Sequence, residues 1–159
     1  MKSDDLWNFA LACYATPGVE KACLELQALE MDVCLLLACS WLEARGVRRD
    51  AQRLEALKQL SKDWQSAVVL PLRNLRQAWR EQAAGDTELA DLRRRVKTLE
   101  LEAERIQLDR LQRVTQHWLP EDGSDDWLNP LCAGVEGDPR AWLNVLRRAA
   151  SQLGAGGAG

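Results

Sequence analysis

The sequence predicts an all-α protein, a bundle of about six helices that includes one long helix with coiled-coil-like spacing. The chain contains a single isoleucine and no stretch of strand length in which apolar and polar residues alternate. Apolar residues instead recur at intervals of three and four through most of its length. The segment from Asp86 to Leu119 contains neither glycine nor proline, so nothing in it breaks a helix.

The first three helices are short and are separated by residues that cap or interrupt helices. Their starts and ends are marked by Ser3, by Thr16-Pro17, near Leu29, by Asp32 and by Gly46. The third helix, Val33 to about Arg45, is apolar on nearly every side and must be covered on several sides. We therefore expect it to be the central helix, with Leu36, Leu37 and Trp41 almost inaccessible.

Three more helices follow. Asp50 can cap a fourth helix, which Pro71 should kink because proline lacks the N–H of an interior hydrogen bond. Gly85 ends that segment, and Asp86 to Leu119 is predicted to be one continuous helix of about 30 residues. A short last helix begins at Asp138-Pro139.

The whole chain is expected to form one domain, residues 1–153, followed by a flexible glycine–alanine tail, residues 154–159. Its longest nearly continuous apolar run, Val33 to Leu42, broken only by Ser40, is too short to span a membrane. The first five residues are not those of a signal peptide. These features favour a cytoplasmic protein with no membrane partner.

The five cysteines are an odd number without close pairs, which fits neither a disulfide framework nor a zinc site. Most of them lie in apolar helical runs, where free cysteine behaves as a small hydrophobic residue. We expect reduced, buried thiols at Cys13, Cys23, Cys34, Cys39 and Cys132.

The sequence offers no set of residues suited to catalysis. It contains one histidine, His117, and its glycine-rich stretch is not followed by the helix of a phosphate-binding loop. Glu100, Glu102 and Glu104 alternate along the long helix and are interpreted as a solvated face. We therefore expect no enzyme activity, no cofactor and no metal site.

Charge is unevenly distributed along the chain, although the net charge is −3. Residues 45–97 carry 13 basic and 7 acidic side chains, whereas the segments before and after them are acidic. Either this basic centre pairs internally with the acidic ends, or it binds an acidic partner, which could be a protein or a nucleic acid.

The best candidate for partner binding is a stripe of arginines on the fourth helix. Arg73, Arg76 and Arg80 fall on one side of the helix, roughly 100° from Leu75 and Trp79. A basic flank beside an apolar seam is suited to binding an acidic surface. The alternative is that these arginines lie around the edge of the core or pair with the acidic residues 100–104.

Tryptophan is unusually frequent, with seven residues against one phenylalanine and one tyrosine. Most of the seven should lie in the core. Trp127 follows an acidic loop with no helical periodicity, and tryptophan often dominates binding interfaces. The sequence therefore favours Trp127 as an exposed anchor for a partner.

The opening of the chain follows the pattern WxFALxxYxxPGVxxACLxLQ, read from Trp7 to Gln27. In this it resembles an uncharacterised proteobacterial family of proteins about this long, a domain of unknown function. The family pattern has an asparagine where this chain has Cys34. The resemblance implies a bacterial cytoplasmic protein and implies no activity.

Two functions remain after these exclusions. The first is a small cytoplasmic adaptor or regulator that binds another protein, or a second copy of itself, through the fourth and fifth helices. The second is a nucleic-acid-associated factor that uses the same arginines. A sequence pI near 5.3 favours the first.

Overall fold

The computed structural model describes residues 5–121 and 125–156. Within these ranges the regular elements are helical, and Val47 and Pro120 form one isolated antiparallel bridge. The α-helices are α1 (Leu6–Tyr14), α2 (Val19–Ala28), α3 (Val33–Ala44), α4 (Ala51–Trp64), α5 (Leu70–Ala78), α6 (Arg80–Ala83), α7 (Thr87–Val114) and α8 (Arg140–Gly156). The prediction of an all-α fold with one long helix is confirmed.

Aspartate side chains cap four of these helices by accepting a backbone N–H from the first turn. The predicted caps Asp32, Asp50 and Asp86 are confirmed, and Asp5 caps α1. The predicted cap Ser3 lies outside the described residues.

The predicted start of the second helix is wrong in detail. The Thr16 hydroxyl donates back to the carbonyl of Ala12, and α2 begins only at Val19, after Gly18 with a φ of 90°. At the other end of the chain, α8 extends into the predicted flexible tail as far as Gly156. Residues 157–159 lie outside the described part of the chain.

The central position predicted for the third helix is confirmed. Nine consecutive residues of α3, from Cys34 to Leu42, are buried. Helices α1, α2, α4, α7 and α8 all contact α3. Gly46, with a φ of 73°, follows the helix in the left-handed conformation that its missing side chain permits.

The predicted kink at Pro71 takes the form of a change in helix type. Residues Gln65–Val69 form a π-helical segment, and the N–H of Leu70 bonds to the carbonyl of Gln65, five residues back. Pro71 then lies at the start of α5, directly after the π-helical segment, so its missing N–H falls where the hydrogen-bonding register changes. The change of register therefore accommodates the proline without ending the helical path.

The long helix is continuous from Thr87 to Val114, as predicted, but it ends five residues before Leu119. At its C-terminal end the Thr115 hydroxyl donates to the carbonyl of Gln112. The chain then leaves the direction of α7, and Pro120 forms the antiparallel bridge with Val47. In the described part of the chain, no helix is both long and apolar enough to cross a membrane.

Helices α5 and α6 and the first part of α7 form a projection, which we call the arm (α5, α6 and residues 87–106). The elements that α5 and α6 contact substantially are α7, the π-helical segment and each other. Among the described residues, none between 61 and 107 belongs to the main hydrophobic core. The arm is therefore a two-helix layer that extends away from the helices packed around α3. Its base contacts them, since Trp64 of α4 donates to the Ala103 carbonyl and Cys34 of α3 lies against the Glu104 carbonyl.

Candidate functional site

The predicted arginine stripe is largely occupied by contacts within the arm. Arg73 donates from Nε to Glu100 Oε2 at 2.9 Å, and Arg76 donates from Nε to Glu100 Oε1 at 2.6 Å. Their side chains are only 13% and 17% exposed. Arg73 and Arg76 are therefore paired internally, which is the alternative that the sequence left open, and their contact with a partner stays a prediction. Arg80 is exposed.

Glu100 is the acidic residue that neutralises these arginines. Only 1% of it is exposed, so its assignment to a solvated face is wrong, whereas Glu102 is exposed as expected. Burial raises the pKa of Glu100, but hydrogen bonds from Arg76 and Arg73 outweigh this effect and hold the pKa below its ordinary value. The carboxylate therefore stays ionised between two cations.

The sequence contained a signal for this pairing. Val96, Glu100, Ala103 and Gln107 follow intervals of four, three and four, which place all four residues on one face of α7. All four are buried in the structure. A polar residue in the register of an apolar stripe predicts a buried partner on the facing helix.

Trp127 is not an exposed anchor. The residue is fully buried, its indole Nε1 donates to the carbonyl of Val47 at 2.8 Å, and its ring stacks on Trp118. Its backbone N–H donates to the carboxylate of Glu43. Glu121, Asp125 and Trp127 all bond to residues 46–49 between α3 and α4, so the lack of helical periodicity around Trp127 does not make it exposed.

An apolar surface remains open on the arm. Leu92, Leu99 and Ile106 of α7 are 47%, 49% and 41% exposed, and we call them the apolar row. Because seven residues turn a helix by about 700°, the three side chains lie in one nearly straight line along α7. Leu75 of α5 is 40% exposed, and Trp79, between α5 and α6, is partly buried.

The apolar row is uncovered because the arm consists of only two packed helical layers. The apolar stripe of α7 is wide, and one side of it, including Val96 and Ala103, is buried. A third helix would be needed to cover Leu92, Leu99 and Ile106 as well. The arm therefore presents apolar side chains for which the described part of the chain supplies no layer.

The match to a family model covers residues 5–111, and the family is described as "Protein of unknown function (DUF2390)". The chain belongs to the DUF2390 family. Comparisons with curated proteins and with solved structures found no significant match. The DUF2390 match includes α3 and the whole arm, with the apolar row, whereas α8 lies outside it.

A second polar site lies within the DUF2390 region, beside the π-helical segment. Gln107 donates from Nε2 to Asp32 Oδ2 at 2.7 Å, and Gln65 donates from Nε2 to Gln107 Oε1 at 2.8 Å. Burial raises the pKa of Asp32 to about 6, against the lowering effect of its hydrogen bond with Gln107. These bonds join the start of α3 to the π-helical segment and to α7.

A cavity of about 640 Å³ adjoins this network. The Ser61 hydroxyl lines it and is buried without a hydrogen-bond partner among the described residues. Lys58, Lys62 and Arg73 line it together with Glu30, Asp32 and Glu55, so positive and negative groups balance. No group of three or more His, Cys, Asp or Glu side chains in residues 5–121 and 125–156 is arranged to hold a metal ion.

The cysteines of the DUF2390 region are buried, as predicted. Burial raises the pKa of Cys13 to about 11 and that of Cys23 to about 12, and it also raises the pKa values of Cys34 and Cys39. Cys132, outside that region, is only partly buried. The reactive form of cysteine is the thiolate, and a raised pKa makes the thiolate scarce at neutral pH. The four buried thiols of the DUF2390 region are therefore poorly suited to covalent chemistry.

Proposed function

We propose that this protein is a small helical adaptor or regulator that binds another protein through the apolar surface of its arm. The observation that carries the proposal is the apolar row, three large aliphatic side chains in line, each at least 41% exposed. Contiguous apolar surface on a soluble helical protein commonly marks an interaction site.

The energetics support a protein partner. Removing apolar surface from water contributes roughly 25 cal/mol per Å², and the apolar row offers such surface along about four turns of α7. A partner helix can lie along a row of this kind, since its own side chains recur at matching intervals. Leu75 of α5 is a further exposed apolar side chain of the arm.

A nucleic-acid-associated role is the less supported alternative. Of the three arginines that it required, Arg73 and Arg76 are paired with Glu100, which leaves Arg80. Arg94 and Arg95 are 72% exposed, but both pair with Asp91. Asp91 offsets part of their positive charge, and nucleic-acid binding depends on net positive charge, so this surface is poorly suited to it.

A cytoplasmic location belongs to the same proposal. The five cysteines are free, and proteins of oxidising compartments usually use cysteines in disulfides. The high pKa values of Cys13 and Cys23 agree with thiols that serve as packing residues.

Capture of partners by variants of the full chain tests the proposal. Leu99→Glu places a charge in the apolar row, and Leu101→Glu is a matched control, because Leu101 is 51% exposed and lies about 200° away around α7. We expect wild type and Leu101→Glu to retain the same specific partner from host cells, and Leu99→Glu to lose it. Retention of every partner by Leu99→Glu would overturn the proposal.

A further inference from the structure

We propose that the apolar row binds the apolar row of a second copy of this chain, with the two α7 helices antiparallel about a two-fold axis at Leu99. The inference rests on the proposed function, since it assigns a partner to the same surface. It is carried by the symmetry of the row and of the charges beside it.

The spacing of the row is symmetric about its middle residue. Leu92 lies seven residues before Leu99 and Ile106 lies seven residues after it, about 10.5 Å in each direction. An antiparallel arrangement with its axis at Leu99 brings Leu92 opposite Ile106 of the second copy, and Leu99 opposite itself. Every exposed member of the row then meets an apolar partner at the same time.

Charged residues of alternating sign lie beside the apolar row along α7. Glu88, Arg95 and Glu102 each precede a member of the apolar row by four residues, which places them about 40° to one side of it. All three are exposed, with 72% of the Arg95 side chain accessible. In an antiparallel pair of helices, flanking positions on the same side face each other.

These charges select the antiparallel orientation. With the axis at Leu99, Arg95 lies opposite Glu102 of the second copy, and symmetry repeats the pair, giving two ion pairs. In a parallel two-fold arrangement this flank would instead lie opposite the other flank of the row, which carries the buried Val96 and Ala103, so neither ion pair would form. Arg95 also binds Asp91 of its own helix at 2.9 Å, and its exposed guanidinium has further N–H donors for Glu102 of the second copy.

The proposed pairing also supplies the missing layer of the arm. Each arm contributes two helices, so two arms in contact form a four-helix arrangement around a shared apolar centre. The interface is isologous, because the same patch is used on both copies and no further copy can add to it. The expected species is therefore a closed dimer.

Sedimentation of the purified full chain tests this inference. We expect wild type to reach twice the monomer mass of 17.9 kDa as its concentration rises, and Leu101→Glu to behave in the same way. Leu99→Glu should raise the dissociation constant of the dimer at least ~30-fold. A monomeric wild type at several hundred micromolar, or a Leu99→Glu variant that remains dimeric, would overturn the inference.

The orientation has its own test. A residue on a two-fold axis meets itself, so Leu99→Cys should cross-link to a second copy under mild oxidation, whereas Leu101→Cys and wild type should not. Arg95→Glu and Glu102→Arg should each weaken the dimer about tenfold, and their combination should restore it. Failure of the combined variant to recover would contradict the antiparallel register.

The two proposals can fail separately. If wild type is monomeric while Leu99→Glu still loses a captured protein, the self-pairing is wrong and the proposed function stands. If the chain dimerises through Leu99 and captures no other protein, the self-pairing stands and the adaptor role fails.

Discussion

Arg76 donates from Nε to Oε1 of Glu100 at 2.6 Å and thereby joins α5 to α7 inside the arm. Arg73 donates to the other carboxylate oxygen of Glu100. Two cations therefore enclose one buried anion, and the carboxylate accepts on both oxygens. The arm is held together by this cluster as well as by its apolar contacts, which makes the cluster a structural element rather than a docking site.

Removing the carboxylate should destabilise the protein strongly. Glu100→Ala leaves two partly buried guanidinium groups without their anion, and breaking such a cluster typically costs ~3 to 5 kcal/mol. Glu102→Ala is the control, since Glu102 is exposed on the same helix. The free energy of unfolding in urea measures both variants. A loss below ~1 kcal/mol for Glu100→Ala would show that the cluster contributes little.

Asp32 should make the stability of wild type depend on pH in a way that Asp32→Asn removes. Burial raises the folded pKa of Asp32 to about 6, above the ordinary value of about 3.9, so the folded state binds this proton more tightly than the unfolded state. The resulting stabilisation is complete below pH ~4 and is lost as pH rises through about 6. Arg73 lowers the pKa of Asp32, and burial also raises the pKa of the nearby Glu104. Wild type therefore has more than one source of pH dependence, and the effect of Asp32 is isolated by comparing wild type with Asp32→Asn.

Unfolding in urea between pH 4 and pH 8 measures this difference. We expect Asp32→Asn to gain stability relative to wild type as pH rises, because an amide can cap α3 and both glutamines can rotate to reverse their hydrogen bonds. Asp86→Asn, at the exposed cap of α7, controls for the change in cap chemistry. A constant difference between wild type and Asp32→Asn across this range would contradict the assignment.

Trp127 should contribute to stability rather than to partner binding. Trp127→Ala removes a fully buried ring and its hydrogen bond to Val47, which should cost ~3 to 5 kcal/mol. Thermal unfolding measures the loss. Trp127→Phe preserves more of the packing, so it should fold and retain partner capture. Loss of capture by a folded Trp127→Phe variant would restore Trp127 as a binding residue.

Local chemistry made much of the fold predictable. The caps Asp32, Asp50 and Asp86 follow from the short reach of an aspartate to the first turn of its own helix. The central position of α3 follows from its apolar residues on every side. Both features depend on residues that are near one another in the sequence.

The candidate site was less predictable because it depends on contacts between distant segments. Arg73 and Arg76 are 27 and 24 residues from Glu100 in the sequence. The spacing of the arginines along one helix is compatible both with partner binding and with internal pairing, because it does not show which helix lies opposite. The exposure of Leu99 depends on how many helices cover α7, which the spacing on one helix does not determine. Trp127 is buried by a fold-back that no local pattern marks.

Protection of the apolar row inside cells tests the central claim most directly. In the variant Leu99→Cys, the rate of modification by a maleimide can be measured in living host cells and in dilute purified protein, with the peptide that carries the new thiol followed by mass spectrometry. Leu101→Cys gives the matched rate on the opposite face of α7. The proposed interface predicts that Cys at position 99 reacts at least ~10-fold more slowly in cells than in dilute solution, while Cys at position 101 reacts equally in both. Equal rates at position 99 in the two settings would contradict an interaction through the apolar row.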